Sequence, residues 1–160
     1  MTMDESIRRI PELPVSVIVP VYNAQDTLQR CLSALAGSAT ESMEIILVNN
    51  SSTDNSSNIC EDFMQSHPHL RILLLQEDTK GPSAARNTGA SLARGDWLIF
   101  TDSDCIPSPT WISDYLPHFS DARLGAVAGC IQPYPPSTLV QKAISLFTLP
   151  PLFVLLPKNL

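Results

Sequence analysis

Asp102-Ser103-Asp104 places two carboxylates two residues apart, directly after the apolar run Trp97-Leu-Ile-Phe100. In extended backbone, residues i and i+2 point to the same face. Two carboxylates on one face repel each other and favour a cation between them. Hard oxygen donors suit Mg²⁺ or Mn²⁺, which usually also take substrate phosphate oxygens. A bare D-x-D is common in loops. Its position after a strand of buried type gives it weight here.

The stretch Gly81-Pro-Ser-Ala-Ala-Arg-Asn-Thr-Gly89 is the second feature. It opens a helix, whose early N–H groups and dipole favour an anion. Arg86 falls in the first turns among small residues, where it can reach a phosphate or a base without crowding. No G-K-[ST] is present, so this is not a P-loop, and no G-x-G-x-x-G disfavours nicotinamide binding. Tyr22 and Asn49 lie at neighbouring strand ends. An aromatic face and an amide could hold a flat nucleobase, and turn capping accounts for Asn49 equally well.

Other candidates carry less. His67-Pro-His69 precedes the third strand, at the opposite end of the sheet from the polar clusters, and reads as a loop with solvated histidines. Cys105 follows Asp104, and nearby carboxylates raise a thiol pKa, so it is a poor nucleophile. Cys31, Cys60, Cys105 and Cys130 are far apart, with neither zinc spacing nor the density of a disulfide scaffold. They read as small buried apolar residues in a reducing compartment.

The elements that must position these groups alternate. Val15 to Val21 is β-branched and short, a buried strand, with Pro20 near the end of its pairing. Asn23 is a plausible N-cap for a helix carrying Leu28, Cys31, Leu32 and Leu35, ended by Gly37. Glu44 to Val48 is a second strand, followed by the polar turn Asn49, Asn50, Ser51 and Ser52. Ile59, Cys60, Phe63 and Met64 mark a helix face. Leu70 to Leu75 is a third strand, Ser83 to Ala93 a helix ended by Gly95, and Trp97 to Phe100 a fourth strand. Ser108-Pro109 opens a helix with Ile112, Tyr115, Leu116 and Phe119, which Pro117 ends or kinks. Ala126 to Cys130 is a fifth strand. Leu139 to Leu149 reads as a helix, followed by an apolar extended piece to Leu156. The expected fold is α/β, a Rossmann-like and mostly parallel sheet with helices on both faces. Ligands bind outside the carboxyl ends of such strands, where the polar clusters fall.

Composition agrees with a single globular body. The chain has 160 residues, 44% hydrophobic and 16% charged. The net charge of -6 gives no electrostatic support for nucleic-acid binding. An anionic ligand must therefore be held by local devices. The N-terminus has no apolar h-region and is not a signal peptide, which points to the cytoplasm. The apolar stretch 139–156 is interrupted by Pro150 and Pro151, which leaves a membrane-surface contact or self-association open rather than a span.

Four segments together resemble the family 2 glycosyltransferases of the GT-A fold: PVSVIVPVYNAQDTLQRCLSAL, EIILVNNSSTDNS, KGPSAARNTGASLARGDWLIFTDSDCIPSPTWI and GAVAGCI. The resemblance covers about residues 14 to 135. It implies an inverting transfer from a nucleotide-diphosphate sugar, commonly a UDP-sugar, to a glycan, lipid or other acceptor. It implies that Pro20 and Tyr22 line the nucleoside pocket, with Asn49 and Ser52 in the adjoining turn. Arg86 then lies near base and phosphates, Asp102 holds ribose, and Asp102 with Asp104 holds Mn²⁺ or Mg²⁺. It divides the chain into an N-terminal extension (1–13), the nucleotide-sugar-binding part (14–135) and a segment (136–160) leading to an acceptor-binding part.

Two departures from the family pattern stand out. The family commonly reads V-D-D-G-S where this chain reads Val48-Asn49-Asn50-Ser51-Ser52. An amide oxygen still accepts a hydrogen bond, more weakly than a carboxylate. Only Asp114 and Asp121 follow Asp104, so the downstream carboxylate expected as general base is absent from these 160 residues. The expectation is a chain cut before that base and inactive in transfer by itself. Two other readings remain: a non-catalytic nucleotide-sugar-binding or regulatory domain, and a sugar-phosphate nucleotidyltransferase. Val21-Tyr-Asn-Ala24 lacks the Gly-rich loop the latter needs.

Overall fold

The computed structural model describes residues 15–41, 43–121, 123–132 and 138, together with the backbone of a strand at 155–157. Strands β1 (Val15–Val21), β2 (Met43–Asn49), β3 (Arg71–Gln76) and β4 (Trp97–Phe100) alternate with helices α1 (Leu28–Gly37), α2 (Ser56–Ser66) and α3 (Pro82–Leu92). Helix α4 (Trp111–Tyr115) follows β4 and tightens into a 3-10 turn at Leu116–His118. Strand β5 (Leu155–Pro157) closes the edge, giving the order β3-β2-β1-β4-β5. The first four strands are parallel, and β5 is antiparallel to β4.

Alternation along β1 builds both faces of the core. Val17, Val19 and Val21 pack with Leu28, Leu32 and Leu35 of α1, Phe63 of α2 and Trp111 of α4. Ile18 faces the other way and packs with Ile46, Val48 and Leu98 against Ala85 of α3. Helices therefore cover both faces, and β1 is buried along its whole length. At about 25 cal/mol per Å² of apolar surface buried, such a strand stabilises the fold well beyond any surface ion pair.

Several sequence expectations need correction. Residues 126–130 form no strand: only Val127 makes an isolated bridge, and the fifth strand is β5. A single β-bridge cannot satisfy the backbone of a strand, so composition misled there. β3 starts at Arg71 and is an edge strand with Leu73 38% exposed, since only β2 pairs with it. Asn23 is not an N-cap. Its φ of 46° puts it in the left-handed region, and α1 begins after Thr27. α4 begins after Thr110 rather than at Ser108-Pro109, and Met64 is exposed. Pro117 does end α4, as expected from its missing N–H. The expected helix over 139–149 lies outside the described residues. Of the extended piece expected after it, Leu155 and Leu156 fall in β5, and the residues before them lie outside the described residues.

Candidate functional site

The carboxyl ends of β1 and β4 and the start of α3 enclose a cleft of about 690 Å³. Its lining includes Pro20 and Tyr22 from the end of β1, Arg86 from α3, and Asp102 and Asp104 from the turn after β4. Parallel β1–β4 pairing sets these groups side by side: Ile18 is in register with Phe100, and Thr101 N–H donates to Ile18 C=O at 3.2 Å. Tyr22 is 56% exposed, its ring free to meet a flat ligand. Of the seven nucleotide- and metal-binding positions expected from sequence, the fold brings Pro20, Tyr22, Arg86, Asp102 and Asp104 onto this cleft.

Asn49 and Ser52 lie beside it and brace its floor. Asn49 is 5% exposed. Its Oδ1 accepts the Ser52 N–H at 3.2 Å and its Nδ2 donates to Gln76 Oε1 at 3.0 Å. Both ends of the amide are thus engaged, one by the turn and one by the end of β3. Ser52 Oγ in turn accepts the Asn23 N–H at 3.2 Å, and Asn23 Oδ1 accepts the Thr53 N–H at 2.8 Å. Ala24 N–H reaches Ser56 Oγ at 2.8 Å. These bonds lock the loop after β1 to the loop after β2, so Tyr22 stands on a rigid base.

The cleft is also lined by residues outside the expected ligand positions, Asn50 and Lys80 among them. Asn50 sat in a turn of four polar residues where nothing distinguished it. Lys80 preceded the Gly-Pro that opens α3, and that adjacency was its one signal.

The electrostatics centre on Arg86, whose Nη2 donates to Asp102 Oδ1 at 2.5 Å. Beneath the turn, Cys31 Sγ donates to the Asp102 carbonyl at 3.5 Å. Burial first, then the negative groups Cys105, Asp104 and Asp102, push the Cys31 thiol up to about 12. Cys105 is also raised, chiefly by burial, which agrees with its reading as a poor nucleophile. The His67 ring lies tilted against Phe63, centroids 4.3 Å apart, and its Nδ1 lies 3.0 Å from the Phe63 carbonyl, so it caps α2. That is a structural place, half-buried rather than fully solvated.

Asp102 and Asp104 suit a hard divalent cation by donor chemistry. Among the described residues no third His, Cys, Asp or Glu groups with them. Two carboxylates leave most of an octahedral shell to water and to ligand oxygens, the usual arrangement where Mg²⁺ or Mn²⁺ is bound together with a phosphate-bearing substrate. The helix start beside them, at Gly81-Pro82, adds N–H groups of favourable polarity.

A parallel sheet in the order 3-2-1-4, with an acidic turn after its fourth strand and an arginine-bearing helix opposite, defines an α/β protein of GT-A type. The sequence model described as "Glycosyl transferase family 2" matches residues 16–158, and the chain belongs to that family. It is 42% identical over 90 residues to the glycosyltransferase GlyA of Streptococcus pneumoniae, covering 56% of this chain and 13% of GlyA. It is 33% identical over 120 residues to the glycosyltransferase AglE of Haloferax volcanii, covering 74% of this chain and 39% of AglE. Among solved structures it resembles the mannosyltransferase PcManGT of Pyrobaculum calidifontis, determined with GDP-Man and Mn²⁺. The TM-score is 0.69 at 27% identity, over 74% of this chain and 35% of that one. S. aureus TarS 1-349 matches with a TM-score of 0.66 at 25% identity, over 90% of this chain and 47% of that one. The chain thus spans less than half the length of these relatives.

Proposed function

We propose that this chain binds a nucleotide-diphosphate sugar, with UDP as the favoured nucleotide, together with Mn²⁺ or Mg²⁺. It serves inverting glycosyl transfer to a glycan, lipid or other acceptor. The observation that carries the reading is the convergence of Tyr22, Arg86, Asp102 and Asp104 on one cleft at the carboxyl edge of the sheet. The neighbour bound to GDP-Man and Mn²⁺ supports a divalent metal and a nucleotide sugar as ligands.

Each side chain has a task in this reading. Tyr22 stacks on the base and Pro20 shapes the pocket behind it. The Asn49–Ser52 turn holds the base-side wall in place. Asp102 faces the ribose and shares the cation with Asp104. The cation, when bound, neutralises the diphosphate and stabilises the leaving nucleotide. Arg86 places a planar fork of donors near the same phosphates. The general base is not assigned: after Asp104 the chain holds only Asp114 and Asp121, both exposed or half-exposed. The 160-residue chain is proposed to bind donor with little or no transfer, in a cytoplasmic setting. Among the described residues no helix is long and apolar enough to cross a membrane.

Titration calorimetry with UDP and Mn²⁺ tests the reading. Wild-type chain should bind UDP in Mn²⁺, and Asp102→Asn with Asp104→Asn should lose the metal-dependent part. A well-folded wild-type sample that gives no heat sinks the proposal. Turnover of a nucleotide sugar by the 160 residues alone would overturn the statement about transfer.

A further inference from the structure

The carboxamide of Asn50 grips the backbone on both sides of Lys80. Asn50 is only 4% exposed. Its Nδ2 donates to the Thr79 carbonyl at 2.8 Å and to the Glu77 carbonyl at 2.9 Å. Its Oδ1 accepts the Gly81 N–H at 2.8 Å. A carboxylate could accept from Gly81, but it has no hydrogen for the two carbonyls and would meet them with like partial charge. The amide is thus the side chain this clamp needs. The loop is stiffened further by Gly81, whose φ of 126° is open to glycine alone, and by the fixed φ of Pro82.

The clamp matters because of what it presents. Lys80 is exposed and lines the cleft with Arg86, Asp102 and Asp104. Arg86 and Asp102 are paired with each other. Among the described residues neither Lys80 nor Asp104 has an ion pair. Asp104 Oδ1 accepts a weak bond from Cys105 Sγ at 3.8 Å, so the cleft offers one cation and one carboxylate free of ion pairs, complementary to a ligand that brings phosphate and metal together.

We propose that Lys80 is a second cationic contact for the ligand's phosphate chain and that Asn50 is the residue that positions it. The inference rests on the nucleotide reading above. An ammonium binds phosphate as a point charge rather than a fork, so its contribution follows the charge on the phosphate chain. Lys80 therefore separates nucleoside diphosphate from nucleoside, and its effect is largest where Mn²⁺ is absent.

The test is calorimetry on the whole chain with UDP, and with uridine by displacement of UDP, in Mn²⁺ and in chelator. Lys80→Gln should weaken UDP roughly tenfold, the scale of one charge-assisted contact, and leave uridine unchanged. Lys80→Arg should restore most of the loss. Asn50→Asp should reproduce the UDP-selective loss, with thermal unfolding followed in parallel. Wild-type chain that binds no UDP sinks the nucleotide reading and this inference with it. Wild-type binding with Lys80→Gln indistinguishable from it overturns the inference alone. An equal loss of UDP and uridine in Lys80→Gln also overturns it, since the residue would then act on the base or the fold. Loss of uridine binding in Asn50→Asp overturns the positioning role.

Discussion

Arg86 and Asp102, 16 residues apart, form an ion pair at 2.5 Å across the cleft between α3 and the turn after β4. Their side chains are 33% and 54% exposed, so water screens the attraction. Such a pair contributes at most about 1 kcal/mol and is easily exchanged for other partners. A divalent cation on Asp102 and a phosphate on Arg86 would each compete with it. The two ligands should then help each other, since the first to bind frees a group for the second. Arg86→Met is expected to leave Mn²⁺ binding alone unchanged or a fewfold tighter, while UDP binding in Mn²⁺ falls by about tenfold or more. Mn²⁺ titration followed by electron paramagnetic resonance, with and without UDP, checks this. Weaker Mn²⁺ binding in the variant without nucleotide would contradict it.

Gly89 explains why α3 is built of small residues. A Cβ at this position would stand 2.6 Å from Ile18 Cγ2 and 3.2 Å from Val48 Cγ2. Both are side chains of the central strands, fully buried. Helix and sheet touch here almost backbone to side chain, and this contact aims Arg86, one turn earlier, at Asp102. Gly89→Ala adds helix propensity worth about 1 kcal/mol, but overpacking the sheet costs about 1–3 kcal/mol. The expected net effect is destabilisation, read as a lower denaturant midpoint with an unchanged slope. Since the helix must shift to admit the methyl group, nucleotide affinity should fall as well.

How far the sequence foretold this molecule depends on the element. β1, β2, β4 and the small-residue helix were legible because solid β-branched runs and a Gly-Pro start leave few alternatives. The D-x-D turn and Arg86 were legible because topology sends residues after parallel strands to one edge. β5 was not, since three residues pairing backwards on β4 carry no periodicity of their own. Ala126 to Cys130 misled for the same reason in reverse: β-type composition does not supply a neighbour to pair with. Asn49 was ambiguous between base contact and turn cap, and its amide is held by Ser52 and Gln76. Asn50 was invisible as a clamp because its partners, Glu77, Thr79 and Gly81, lie about thirty residues away.

Ser51 carries the cost of the departure from the family's V-D-D-G-S pattern. It adopts φ 59°, the left-handed region that glycine enters freely. Its hydroxyl donates to the Glu77 carbonyl at 3.3 Å, a long bond that offsets little. A non-glycine residue held in this region costs of order 1 kcal/mol. Glycine also loses more chain entropy on folding, which takes back part of the gain. Ser51→Gly is expected to stabilise the chain by about 0.5 kcal/mol, visible as a rise of a few degrees in Tm. A fall in Tm would mean that the Ser51–Glu77 bond outweighs the backbone strain.

Cys31 and Cys60 make stability depend on pH at the alkaline end. Both thiols are pushed up to about 12 from 9.0, in each case first by burial. In the folded chain they keep their protons at a pH where the unfolded chain has released them. The native state then binds more protons, so stability falls as pH rises. Their contribution is complete below about pH 9 and is lost progressively towards about pH 12. Lysine and tyrosine titrate in the same range, so the informative quantity is a difference. The double variant Cys31→Ala, Cys60→Ala should be less stable at pH 7, because two buried side chains are shortened. Its stability should nevertheless decline less steeply than wild type between about pH 9 and pH 11. The same burial predicts that a thiol reagent at pH 8 modifies exposed Cys130 quickly and leaves Cys31 and Cys60 untouched until the chain unfolds. Denaturant unfolding across that pH range, with thiol counting beside it, decides the matter: parallel stability profiles for the two proteins would refute the assignment.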